Sequence, residues 1–232
     1  MRIAKPGLQR GYNERAMFTG HYSVAFASKA YQPRIPLWSL FVATQFLDFV
    51  WAVLVLAGIE KARIVPGLMA ASALDLYYMP FTHSLVGALV LSVAGGLLLN
   101  FAVKGRDAIT AFVLGCAVFS HWIADLLVHR PDLPLMTDSC PKLGFGMWNY
   151  FWPEFILEIL LLAVTLVWWL RTERSGATVR AGFILFGLLV IAQCVDKFGP
   201  VPGSSQDAAV MALTAYTVLA LVAAWAGRGR LA

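Results

Sequence analysis

Charged side chains are scarce in this sequence. Asp, Glu, Lys and Arg make up 13% of its 232 residues, about half of the ~25% usual in a soluble domain. Too little charge remains to cover the surface of a water-soluble globule. Cysteine is also rare: Cys116, Cys140 and Cys194 form no CxxC pair and no disulfide framework, and read as structural. No internal repeat or low-complexity linker divides the chain, so residues 1–232 read as a single domain. The net charge of +5 lacks a basic face interleaved with stacking aromatics, which excludes a nucleic-acid partner. No cleavable signal peptide is evident: four basic residues precede an apolar stretch that is interrupted and lacks a cleavage site.

What is abundant is hydrocarbon. Apolar residues reach 59% and mean hydropathy is +0.72. Six runs are long enough to cross a core of roughly 30 Å: Pro36–Ile59, Thr82–Val103, Ala108–Val128, Pro153–Leu170, Arg180–Val195 and Ala208–Ala226. A seventh segment, Ala16–Tyr31, is broken by Thr19, His21, Ser23, Ser28 and Lys29 and reads as a partly buried or interfacial helix. Lipid cannot satisfy open backbone groups, and no barrel-like alternation is present. The expected fold is therefore all-α: a polytopic membrane bundle of about six transmembrane helices plus the N-terminal helix. With six spans, thirteen Lys and Arg fall on the side of the termini and five on the other, which places both termini in the cytoplasm. If Ala16–Tyr31 also crosses, that bias vanishes. The long loops, Glu60–Phe81, His129–Trp152 and Asp196–Asp207, lie opposite the termini.

Against this background the ionisable residues inside the spans stand out, because each costs about 2.5 kcal/mol or more without a partner. Asp48 lies in the first span, His83 in the "PFTHS" that opens the second, and Glu154 and Glu158 in the "WPEFILE" that opens the fourth. The third ends in "SHWIADLLVHR", where His121, Asp125 and His129 recur every four residues and so share one helix face. Chain direction brings His83, His129 and Glu154 to the same membrane face, with His121, Asp125 and Glu158 a few residues deeper. Imidazole with carboxylate is the ligand set of zinc and similar divalent ions, and this inventory exceeds one tetrahedral site. Two metals bridged by a carboxylate would use it, with Mn or Fe as alternatives to Zn. A structural clamp or a proton relay would use the same residue types.

"THS" at Thr82–Ser84, the acidic residue of "TQFLD" and "SHWIADLLVHR" together resemble the bacterial inner-membrane metal-dependent hydrolase family. That family is related to zinc-dependent phospholipase C and the zinc-dependent single-strand nucleases. The resemblance spans residues 17–170, and the helices of 177–232 lie outside it. It implies a helical fold, one to three divalent ions and an inner-membrane location. It adds His21 as an early ligand and assigns Asp48 as a bridge, with His83, His121, Asp125, His129, Glu154 and Glu158 completing the set. Glu154 stands where the phospholipases carry His. With six spans, His21 starts on the side opposite the other ligands unless its segment penetrates or crosses.

The expected activity is metal-dependent hydrolysis of a membrane-embedded or amphipathic ester, a phospholipid phosphodiester being one such substrate. Asp125 or Glu154 would accept the proton of the attacking water. The alternative is a transporter or channel that uses the same groups as an ion or proton path. A b-type cytochrome with His83 and His121 as axial ligands fits poorly, since clustered carboxylates are bad neighbours for haem propionates.

Overall fold

In the computed structural model, residues 19–104 and 107–227 are described. The chain runs from a 3-10 turn (Thr19–His21) into helices α1 (Tyr22–Tyr31), α2 (Leu37–Thr44) and α3 (Phe46–Leu56). A hairpin of β1 (Lys61–Ile64) and β2 (Leu74–Tyr78) follows, then α4 (Leu85–Ala102) and α5 (Ala108–Val128). The short antiparallel pair β3 (Leu133–Pro134) and β4 (Lys142–Leu143) precedes α6 (Phe151–Thr172), α7 (Gly176–Phe198) and α8 (Ser205–Gly227). Residues 16–18 of the N-terminal segment lie outside the described residues, as do seven of the basic residues counted above: Arg2, Lys5, Arg10, Arg15, Arg106, Arg228 and Arg230.

Among the described residues, α4 to α8 are each long and apolar enough to cross a membrane, and α2 with α3 forms a sixth, broken span. The protein is an all-α polytopic bundle. Its outer faces are hydrocarbon: Leu97, Leu98 and Phe101 of α4, Phe112 of α5 and Val164 of α6 are all exposed. A surface of this kind requires an apolar solvent.

Three expectations are refined. The run Pro36–Ile59 is not one straight helix; it bends by 53° at Gln45, whose backbone leaves helical geometry at φ −112°, ψ 12°. Hydropathy cannot register such a break, because both halves are equally apolar. Of the two readings of the segment around α1, partly buried or interfacial, the buried one holds. Tyr22, Ala25 and Phe26 are fully buried, and Phe26 stacks on Trp169 of α6 with centroids 5.6 Å apart, a contact worth about 0.5–1.5 kcal/mol beyond burial. Its Lys29 ammonium is satisfied by the carbonyls of Pro33 and Ile35 at 2.8 and 2.7 Å. Finally, the long loop after α3 is not irregular throughout, because β1 and β2 pair within it.

Helices α4 and α5 pack closely because glycines meet there. A Cβ on Gly96 would fall 2.7 Å from the Ala111 carbonyl and 2.8 Å from the Gly115 amide, a small-residue contact characteristic of membrane helices. At the far end of α5 the chain is pinned by Asp75 of β2, which binds Arg63 at 2.6 Å and also Arg130. Gly144, at φ +152°, passes so close to the Arg130 carbonyl that a Cβ would clash. Hairpin and loop together close over the end of α5.

Candidate functional site

The face of α5 that turns inward carries Leu114, Ala117, Val118, His121, Trp122 and Asp125, all buried. Three other segments bring a polar side chain to it. Asp48 stands in the first turn of α3, just past the break. His83 directly precedes Ser84, which caps α4 by accepting from the Gly87 amide. His21 ends the turn before α1. Asp125 is the centre. Its Oδ2 lies 3.3 Å from His121 Nε2 and 3.5 Å from His83 Nε2, and its Oδ1 lies 3.3 Å from His21 Nε2 and 3.7 Å from His129 Nε2. Asp48 Oδ1 lies 3.3 Å from both His83 Nε2 and His121 Nε2. The His21 and His121 rings stack at 3.9 Å. His21 therefore belongs to the centre, which the six-span topology left doubtful; the burial of α1 brings it there.

The orientation of the rings is chemically specific. His121 Nδ1 is 2.8 Å from the carbonyl of Thr44, one of the carbonyls that end α2 without an intrahelical partner. A carbonyl only accepts, so Nδ1 carries the proton. Thr82 gives its hydroxyl proton to Glu60 Oε2 at 2.5 Å and lies 2.7 Å from His83 Nδ1. It can then only accept from the ring. His129 Nδ1 is held by Asp132 Oδ1 at 2.9 Å. All three rings are thus fixed as Nδ1–H, with Nε2 directed at Asp48 or Asp125. For a neutral ring, that places a lone pair against a carboxylate oxygen. The contact is repulsive unless a cation, either a proton or a metal ion, lies between. His129 senses this field: burial works to lower its pKa, but Asp132 and then Asp125 outweigh burial and raise it.

The spacing suits a metal. Four donors about 2.0–2.1 Å from a tetrahedral ion lie about 3.3–3.4 Å from one another. Asp48 Oδ1, His83 Nε2, His121 Nε2 and Asp125 Oδ2 are linked by four contacts of 3.3 to 3.5 Å. Two sets of three, Asp48 with His83 and His121 and His21 with His121 and Asp125, each bring their donor atoms within 4.8 Å of one another. His21 and His129 face the other oxygen of Asp125. Carboxylate or backbone groups behind metal-binding imidazoles are the usual supporting shell, and Thr44, Thr82 with Glu60, and Asp132 fill that role here.

Glu154 and Glu158 enter from the expected face but have other partners. Glu154 Oε1 is bonded to Lys197 Nζ at 2.7 Å, and the same ammonium bonds the Ala71 carbonyl at 3.2 Å. Glu158 Oε2 accepts from the amide and the hydroxyl of Thr19 at 3.0 and 2.9 Å, and from the Gly20 amide at 3.4 Å. Thr19 also bonds Gln193 at 2.7 Å. The carboxylate of Glu158 thereby holds the turn whose last residue is His21.

A cavity of about 540 Å³ adjoins the cluster. His21, Asp48, His83, Asp125 and His129 line part of it, and α7 and α8 line much of the rest. Asp48 is the most open member of the cluster, with a side chain 19% exposed against 3% or less for His83, His121 and Asp125. Its Oδ2 accepts from the Tyr216 hydroxyl at 2.6 Å. Sequence reasoning missed Tyr216, since one tyrosine in an apolar run gives no signal, and treated Lys197 as a loop cation. Glu60 is equally silent in the sequence. Asp132 could have been found from its place three residues after His129.

No protein-family model, curated protein or solved structure matches this chain.

Proposed function

We propose that the protein is an integral-membrane, divalent-metal-dependent hydrolase acting on ester bonds of membrane-embedded amphipathic molecules, with phospholipid phosphodiesters as a substrate type. The observation that carries this reading is the set of three imidazoles locked as Nδ1–H with Nε2 facing Asp48 and Asp125. Two buried carboxylates need about two positive charges. One divalent ion supplies both, and it takes the lone pairs as well.

Asp48, His83, His121 and Asp125 would hold that ion. His21 and His129 would stand beside it, facing the other oxygen of Asp125. Zinc is the ion this donor set favours, with Mn and Fe as alternatives. A bound ion of this kind supplies Lewis acidity and a water of lowered pKa. The chain's own groups supply the rest. Tyr216 holds Asp48 Oδ2, which leaves Oδ1 directed at the cluster. Of the two carboxylates named from sequence as proton acceptors, Glu154 is ion-paired with Lys197, which leaves Asp125. The resemblance to inner-membrane metal-dependent hydrolases, and the excess of Lys and Arg on the side of the termini, support an inner-membrane protein with both termini cytoplasmic.

The test is metal analysis of purified wild-type and His121→Ala protein, alongside release of a labelled headgroup from phospholipid vesicles with and without chelator. The expected result is stoichiometric metal and chelator-sensitive release in wild type, both lost in the variant. Wild-type protein free of stoichiometric Zn, Mn or Fe overturns it. The rival reading, an ion or proton path, draws support from the polar chain of Thr19, Glu158 and Gln193 that leads away from the cluster. Flux into liposomes that requires Asp125, seen in metal-free protein, would establish that reading instead.

A further inference from the structure

The cavity beside the cluster has two kinds of wall. His and Asp side chains line part of it; the rest is α7 and α8 together with Trp51, Trp148 and the hairpin residues Ile64, Leu74 and Leu76. On α8 the lining residues Ala208, Ala212, Ala215 and Leu219 fall four, three and four apart, which is one helix face. On α7 the facing residues are Leu188, Ala192 and Val195. Alanines at such positions normally let two membrane helices touch. Here they border open space. Leu188 and Val195 are 37% and 51% exposed, so the seam opens toward the bilayer. Of its polar lining residues, Thr214 bonds the carbonyl of Val210 in its own helix, and Asp196 lies 3.6 Å from the Lys197 ammonium. Tyr216 marks the boundary, with its ring in the cavity wall and its hydroxyl on Asp48.

We propose that the seam between α7 and α8 is a lateral entrance that seats one acyl chain of a membrane phospholipid, with the lipid's ester group at the His/Asp cluster. The placement of the ester group rests on the hydrolase reading; the seating of the chain does not. A hydrocarbon chain needs no hydrogen bonds, which is what this wall provides. An extended peptide segment in the same seam would strand its backbone polar groups. A volume of about 540 Å³ lies within the roughly 300–1,000 Å³ of ordinary small-molecule sites. The residues that set how much chain fits are then Ala192, Ala212 and Ala215.

The test uses the full chain in vesicles containing a phosphatidylcholine with a diazirine at the end of one acyl chain. After irradiation, labelled peptides are mapped, and metal content is measured in parallel. The expected result is label enriched at Leu188–Val195 and Ala212–Leu219 over the outer face of α4. Ala215→Phe should cut that enrichment at least about tenfold, equivalent to ~1.4 kcal/mol, while metal content stays at the wild-type level. Ala192→Phe, on the opposite wall, repeats the test should Ala215→Phe misfold. Label spread evenly over all lipid-facing helices, or seam label that neither substitution reduces, overturns the proposal. Seam labelling in a protein without metal would instead reject the hydrolase reading and leave the seam standing.

Discussion

Two buried polar groups lie side by side in this bundle and are built on opposite plans. Around Lys197, the protein brings its own cation: one ammonium bonds Glu154, lies 3.6 Å from Asp196 and is itself fully enclosed. Around Asp125, the described residues bring imidazoles and no Lys or Arg contact, and three of the four rings are turned by their outer nitrogens. The first arrangement draws its cation from within the chain and ties α6 to α7 and to the loop at Ala71. The second leaves its positive charge to be supplied from outside. Burial alone does not separate a structural ion pair from a binding centre; what separates these two is whether the fold brings a cation of its own.

The largest effect that would break this comparison is at Lys197. Lys197→Met removes the internal cation and leaves the Glu154 carboxylate buried and unpaired, at an expected loss of about 3–5 kcal/mol in denaturant unfolding of detergent-solubilised protein. The double variant Lys197→Met/Glu154→Met should recover part of it, since replacing both partners by apolar groups is far cheaper while Asp196 still loses its cation. If metal content collapses in Lys197→Met but recovers in the double variant, the two groups are coupled through the fold. If it stays low in the well-folded double variant, Glu154 is a ligand after all.

Next in size is Glu158→Ala. It strips the acceptor from the Thr19 amide and hydroxyl and the Gly20 amide, at about 1–3 kcal/mol for stranded buried donors. The turn holding His21 should loosen, and the readout is a fall in metal stoichiometry together with faster amide exchange at residues 19–22. Unchanged exchange there would show that the carboxylate does not hold the turn.

Smaller still are the residues behind the imidazoles. Asp132→Asn and Thr82→Val each leave the helices intact and should weaken metal affinity about 10–100-fold, as read by competition with a chelating dye. Affinities equal to wild type would mean that the Nδ1 contacts do not orient ligands. The smallest change is Ser84→Ala, which removes the side-chain cap on the Gly87 amide and should cost about 1 kcal/mol without altering metal content. It is the control for mere proximity, since Ser84 adjoins His83 yet bonds only backbone, at Gly87 and Pro80.

The legibility of the chain divides along physical lines. The run Ala108–Val128 coincides with α5 at both ends, because membrane helices are set by local hydropathy and by the need to close every backbone hydrogen bond internally. The stripe of His121, Asp125 and His129 was equally plain, since spacing on a helix is a local property. By contrast, the bend at Gln45 serves a contact between α2 and His121, and the depth of His21 follows from the packing of α1 on α6. Tyr216 reaches Asp48 across 168 residues. None of these leaves a trace in composition.

From sequence alone come the solvent, the apolar segments that suit it, and the list of side chains too costly to bury without purpose. Those follow from the cost of exposing backbone and charge to hydrocarbon, which each segment meets separately. Which of those side chains share a centre was decided only in three dimensions. There a freed carbonyl, a hydroxyl and a carboxylate turn three rings toward two aspartates, while Lys197 draws Glu154 into a pair of its own. Partner choice depends on distances between distant segments, and only packing sets those.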